Sequence, residues 1–140
     1  MKRHYYLTFV VIITLMTLCV FLKAAAWAQK AAPLKIEFGA ICQNVVNHEV
    51  VDAGTSFPAT VTKLYCFTKI VGAKGSTEIS HVWYYGDIER AYVPLAINSP
   101  SWRTYSSKII QAHEIGEWRV DVLNQEGELL ETFRFDIVQQ

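Results

Sequence analysis

From Leu34 onward, apolar and polar positions alternate with period two. Leu34, Ile36, Phe38, Ala40 and Cys42 fall on one side of an extended segment, and Lys35, Glu37, Gly39 and Ile41 on the other. That is the pattern of a half-buried strand, and it points Cys42 inward. A second strand is predicted over about Ala59 to Val71, where Leu64, Cys66 and Ile70 share a face and Gly72 to Gly75 supplies a break. Glu78 to Gly86 reads as a third, with Ile79, His81, Trp83 and Tyr85 opposite Ser80, Val82 and Tyr84. Both of its faces are rich, so the pattern leaves open which is buried. Ala91, Val93, Leu95 and Ile97 define a fourth, and Pro94, which has no ladder donor, places it at an edge. A turn at Asn98 to Ser101 leads to a fifth strand from Trp102 to about Gln111. The last two form the clearest hairpin: Trp118, Val120 and Val122 lead to a turn at Asn124 to Gly127, and Leu129, Phe133, Phe135 and Ile137 return.

Seven short strands at roughly ten-residue spacing, with no amphipathic helix among them, predict an all-β domain. The size and strand count fit an antiparallel immunoglobulin-like β-sandwich. A small closed barrel would bury the same positions and is the alternative.

The residues before this domain have a different character. Lys2 and Arg3, an apolar run from Leu7 to Leu22, and Ala26-Trp27-Ala28 ahead of Gln29 form the pattern of a secretory signal peptide over residues 1–28. Gln29 to Pro33 reads as a short linker, and residues 34–140 as the β-sandwich domain. The competing reading is an uncleaved inner-membrane anchor formed by residues 5–22. The strict run covers only roughly 24 Å of a bilayer core about 30 Å thick, which favours cleavage. A periplasmic or secreted location follows, with membrane attachment only if the leader is retained.

Removing 28 of the 140 residues leaves one modest domain. Of thirteen Lys and Arg, three lie in the leader, so the remainder carries ten bases against thirteen acids, a net charge of −3. That argues against nucleic acid, whose binding rests on clustered positive charge. Cys19 lies in the leader, and Cys42 and Cys66 remain. In an oxidising compartment an even pair is most simply a disulfide, which would contribute roughly 3.5 kcal/mol for a loop of this length. Two buried free thiols are the alternative.

Trp102-Arg103-Thr104-Tyr105-Ser106-Ser107-Lys108, Gly116-Glu117-Trp118-Arg119-Val120 and Gly127-Glu128-Leu129-Leu130, together with His81-x-Trp83, Cys42 and Cys66-Phe67-Thr68, resemble the bacterial domain of unknown function 2914. The similarity extends over most of Leu34 to Val138. The family has no assigned activity, so the resemblance implies an exported or membrane-tethered protein and names no substrate.

Candidate chemistry rests on two strands. His81 and Trp83 share a face, where an indole and an imidazole could form a ligand platform, or else fill the core. On the fifth strand Trp102, Thr104, Ser106 and Lys108 share one face and Arg103, Tyr105 and Ser107 the other. A row of hydroxyls ending in Lys108 could hold an anion, and Arg103 is the best single group for gripping a carboxylate or phosphate. Ser106 and Lys108 do not make a hydrolytic dyad, because such pairs rely on helical spacing and an oxyanion site. Cys42, Cys66 and His81 could bind copper or zinc, but their spacing is weak support and a disulfide would consume both thiolates. His48 and His113 read as loop residues.

The expected product is a non-catalytic exported module with no cofactor or metal. It would bind a cell-envelope protein, peptide or glycan through His81, Trp83, Trp102, Arg103, Ser106 and Lys108. The alternative is a metal-handling or redox protein using Cys42, Cys66 and His81.

Overall fold

The computed structural model describes residues 33–139, so the leader and linker readings lie almost wholly outside the described residues. Nine strands form two sheets: β1 (Lys35–Val46), β2 (Glu49–Ala53), β3 (Ser56–Pro58), β4 (Lys63–Val71), β5 (Thr77–Tyr85), β6 (Ile88–Ile97), β7 (Ser101–Ile109), β8 (Gly116–Asn124) and β9 (Leu129–Val138). One sheet has the order β2-β1-β4-β7 and the other β3-β9-β8-β5-β6. Neighbouring strands are antiparallel except β3 and β9, which run parallel. The fold is thus an all-β, two-sheet sandwich.

The inner faces follow from period two. Leu64, Cys66, Thr68 and Ile70 of β4 face Ile79, His81 and Trp83 of β5 and Trp118, Val120 and Val122 of β8, all fully or almost fully buried. The apolar residues divide into two clusters, one around Leu64, Cys66, Trp83, Trp118 and Phe135, the other around Ile70, Ile79, Ile97 and Val122. Between them, at the intervening positions of β4 and β5, sit Thr68 and His81. A polar waist therefore crosses the core from sheet to sheet.

Three bulges decide which residues face where. Between Ile36 and Phe38 the β1–β4 register shifts by one residue, so Glu37 is the extra residue. Ile36 pairs with inward Ile70, but beyond the bulge Gly39 and Ile41 take the inward places opposite Thr68 and Cys66. Phe38, Ala40 and Cys42 are turned to the outer face, which reverses the orientation read from the sequence, because one inserted residue inverts a period of two. Gly39 has a packing role: a Cβ there would collide with the ring of Phe133 from the opposite sheet. A second bulge at Arg90 of β6 aims that side chain at Glu114, and a third at Leu130 of β9 puts Leu130, not Leu129, against the core.

The β1–β2 hairpin turns at Asn47 and His48, both in the left-handed region (φ 53° and 59°), as a tight two-residue connection requires. β1 leaves β4 after Cys42, which pairs with Tyr65. Yet Asn47, His48 and Glu49 lie beside Lys69 and Arg103, several residues back along the sheet. The hairpin is therefore folded back over the outer face of the β2-β1-β4-β7 sheet. Asp52, at φ 53°, lies within its returning strand.

Candidate functional site

The residues expected to form one ligand surface are divided between two environments. His81, Trp83 and Ser106 are buried. His81 Nδ1 lies 2.8 Å from Ser106 Oγ and Nε2 lies 3.2 Å from Thr68 Oγ1, while Trp83 Nε1–H donates to Ser106 Oγ at 3.0 Å. A neutral imidazole has one N–H and one acceptor nitrogen, so one hydroxyl donates to the ring and the other accepts from it. Burial lowers the His81 pKa to about 4. These groups tie β5 to β4 and β7 across the core and offer nothing to a ligand outside it. The surface platform of His81, Trp83 and Ser106 is therefore corrected to an internal hydrogen-bonded cluster.

The cysteine pairing is corrected as well. Ile41 is opposite Cys66 and Cys42 is opposite Tyr65, so the two cysteines project from opposite faces of one sheet, and both are free. The bulge at Glu37 causes this. Burial pushes the Cys66 thiol well up from its ordinary value and raises Cys42 too, against hydrogen bonds from the backbone of Val51 and Asn44. A metal centre of Cys42, Cys66 and His81 is not assembled, since Cys42 faces away and both His81 nitrogens are engaged. Among the described residues, no group of three or more His, Cys, Asp or Glu side chains is gathered for a metal ion.

Lys108 and Trp102 share a face, as the alternation predicts, but it is the inner side of β7, opposite Leu64 and Ile70, and the expected anion-holding row of Trp102, Ser106 and Lys108 is corrected to a core-facing one. Lys108 donates to the Ile109 carbonyl at 2.9 Å, and burial followed by the charge of Arg90 lowers its pKa. Nearby, Glu114 is a buried carboxylate paired with Arg90 that also accepts from the Gln111 backbone N–H at 2.9 Å. Trp118 Nε1–H donates to the Glu114 carbonyl at 3.0 Å. Among the described residues no buried side-chain nitrogen or oxygen lacks a partner, and this corner reads as a structural clamp on the β7–β8 connection.

Arg103 alone of the expected set stands on the outer face, 47% exposed. It is directly opposite Lys69 of β4, and the next pair along is Tyr105 with Phe67. The folded-back hairpin creates two openings here. One, of about 500 Å³, is lined by Asn47, His48, Lys69, Ser101, Trp102 and Arg103, and contains no acidic residue. The other, of about 230 Å³, has Phe38, Val50 and Phe67 as its apolar lining, with Glu37 and Glu49 at its rim. Glu37 pairs with Lys69, and Glu49 lies 3.6 Å from Arg103. Such half-exposed pairs stabilise by at most about 1 kcal/mol and exchange readily. Phe38 was expected on the inward stripe and His48 as a loop residue without a role, and Lys69 was not singled out, though its signal is present in the alternation of Tyr65, Phe67 and Lys69 against Leu64, Cys66 and Ile70.

Comparison with known families agrees with the motif reading. Residues 76–137 match the family described as "Protein of unknown function (DUF2914)". The match spans β5 to β9 almost entirely and includes His81-x-Trp83, the Trp102 to Lys108 string and both Gly-containing motifs, whereas Cys42 and Cys66 lie outside it. None of the curated proteins matches the chain.

Proposed function

We propose that this DUF2914-matching chain is an exported, non-catalytic module of the cell envelope that captures a protein, peptide or glycan on the outer face of its β2-β1-β4-β7 sheet. The observation that carries the reading is the division of polar chemistry between the two sides of β7. Inward, Ser106 is buried and engaged with His81 and Trp83, so that hydroxyl and imidazole are closed to an outside substrate. Outward, Arg103 and Lys69 stand side by side next to exposed Tyr105, each with an exchangeable glutamate partner, Glu49 and Glu37. A cationic pair flanked by aromatic and apolar surface is suited to recognition.

The strand order also supports an immunoglobulin-like arrangement: β1-β4-β7 faces β3-β9-β8-β5-β6, with the first part of the chain contributing β1 to one sheet and β3, parallel to the last strand, to the other. Export rests on the residue 1–28 pattern and is tested by the mature N-terminus: a chain beginning near Gln29 supports it, and one beginning at Met1 rejects cleavage. The binding reading is tested by crosslinking in the native host with mass spectrometry. Arg103→Ala is expected to weaken partner capture with the unfolding midpoint nearly unchanged. Undiminished capture would remove Arg103 from the binding surface, and a loss of several kcal/mol in stability would make it structural.

A further inference from the structure

A two-sheet sandwich has four edge strands, here β2, β3, β6 and β7. Edges are usually blunted against pairing with foreign strands by shortness, proline, bulges or charge. Three of these edges are. β2 has five residues and a left-handed Asp52; β3 has three and ends in Pro58; β6 contains Pro94 and the bulge at Arg90. β7 is different. It has nine residues, pairs with β4 in unbroken register from Ser101 to Ile109, and contains neither proline nor bulge. Its charges are near its ends, Arg103 on the outer face and Lys108 turned onto the Ile109 carbonyl, so Thr104 to Ser107 is uncharged.

We propose that β7 is a docking edge on which an extended acidic peptide adds as a further strand, its acidic side chain entering the cleft of Lys69 and Arg103. The inference rests on the binding-module reading and names its ligand class. Main-chain pairing would supply affinity, and side chains on alternate positions would supply selectivity. On the outer face of β7 the groups met in turn are Arg103, then Tyr105 (43% exposed), Ser107, and Ile109 (59% exposed). A complementary strand therefore carries an acid opposite Arg103 and apolar residues two and six positions away. Lys69 and Arg103 are each paired with a half-exposed or exposed glutamate, Glu37 and Glu49, so the peptide's acid enters by exchanging for one of these weak partners, and the donors of Asn47, His48 and Ser101 line the same cleft.

The test uses the purified full-length protein and the peptide acetyl-Glu-Thr-Val-Thr-Ser-Thr-Val-amide, made also in reverse order so that either strand direction is sampled. One of the two orders is expected to bind, and replacing its Glu by Lys, or making Arg103→Glu in the protein, is expected to weaken binding by about tenfold or more. Hydrogen exchange distinguishes strand addition from mere charge attraction: alternate β7 amides, those facing the open edge, become protected in the complex while β6 amides do not change. Binding without β7 protection overturns the proposal. So does β7 protection that rises with protein concentration in the absence of peptide, since a second copy would then own the edge. If native-host crosslinking still captures a partner while β7 remains unprotected, the binding module stands and the edge assignment falls. If neither capture nor peptide binding is seen, both fall.

Discussion

Lowering the pH should destabilise this domain in a window set by one side chain. In the folded state burial holds His81 neutral down to about pH 4, from an ordinary value of 6.5. In the unfolded chain the same imidazole takes its proton near 6.5. Between those values the unfolded state binds more protons, so stability falls as pH falls. The contribution is fully present above about pH 7, is lost progressively below about 6.5, and stops changing below about 4. At 1.36 kcal/mol per pH unit the total is about 3 kcal/mol, a large share of the 5–15 kcal/mol of a typical domain. The assay is denaturant unfolding at half-unit steps from pH 8 to pH 4, followed by tryptophan fluorescence, since Trp83 and Trp118 are both buried. His81→Gln keeps one hydrogen bond toward Ser106 or Thr68 and removes the titration; carboxylate effects common to both proteins cancel in the difference. The wild type should lose about 3 kcal/mol more than the variant across the window. Equal slopes, or a His81 ring that titrates near 6.5 by NMR in the folded protein, would refute the reasoning.

Other consequences follow from packing and connectivity. Gly39→Ala should cost about 1–3 kcal/mol, because its Cβ displaces the Phe133 ring, and Phe133→Leu in the same chain should recover part of that; both are read from the unfolding midpoint. In protein lacking residues 1–28, two thiols should titrate in denaturant before any reductant is added, and reductant should leave the stability in place, where a Cys42–Cys66 bridge would change it by roughly 3.5 kcal/mol. Glu114→Ala should destabilise by about 3–5 kcal/mol, since it strands Arg90 and the Gln111 N–H beside a buried corner, while Glu114→Gln should cost less by keeping an acceptor for Gln111.

The alternation of residues made much of this fold legible. It identified the inward face of β8, the edge position of β6 from Pro94, and the closing hairpin, where Asn124 Oδ1 accepts the N–H groups of Glu126 and Glu128 and Gly127 adopts φ 81°; on β5, where Ser80 and Val82 are buried along with Ile79, His81 and Trp83, the pattern left the inward face open. It failed where a single residue was inserted. Glu37 is polar and sits in a polar place before and after the shift, so nothing local distinguishes a bulge there from a regular strand. The error then propagated to Phe38, Ala40 and Cys42, and the expected disulfide depended on it. β2 and β3 were missed because Glu49–Ala53 and Ser56–Pro58 are too short to show a period. The site was half legible for a related reason. The alternation separated Arg103 and Tyr105 from Ser106 and Lys108, but only tertiary pairing reveals that Lys69 is Arg103's neighbour and that the hairpin tip at His48 folds over them.

The central claim is that partners are met on the open face of the β2-β1-β4-β7 sheet, and a photocrosslinking residue placed in the native host tests it most directly. At Tyr105, on that face, illumination should yield a discrete adduct that Arg103→Ala diminishes. At Tyr92, more open to solvent (55% against 43%) but on β6 of the other sheet, it should yield none. An adduct from Tyr92 alone, or equal adducts from both, would contradict the account.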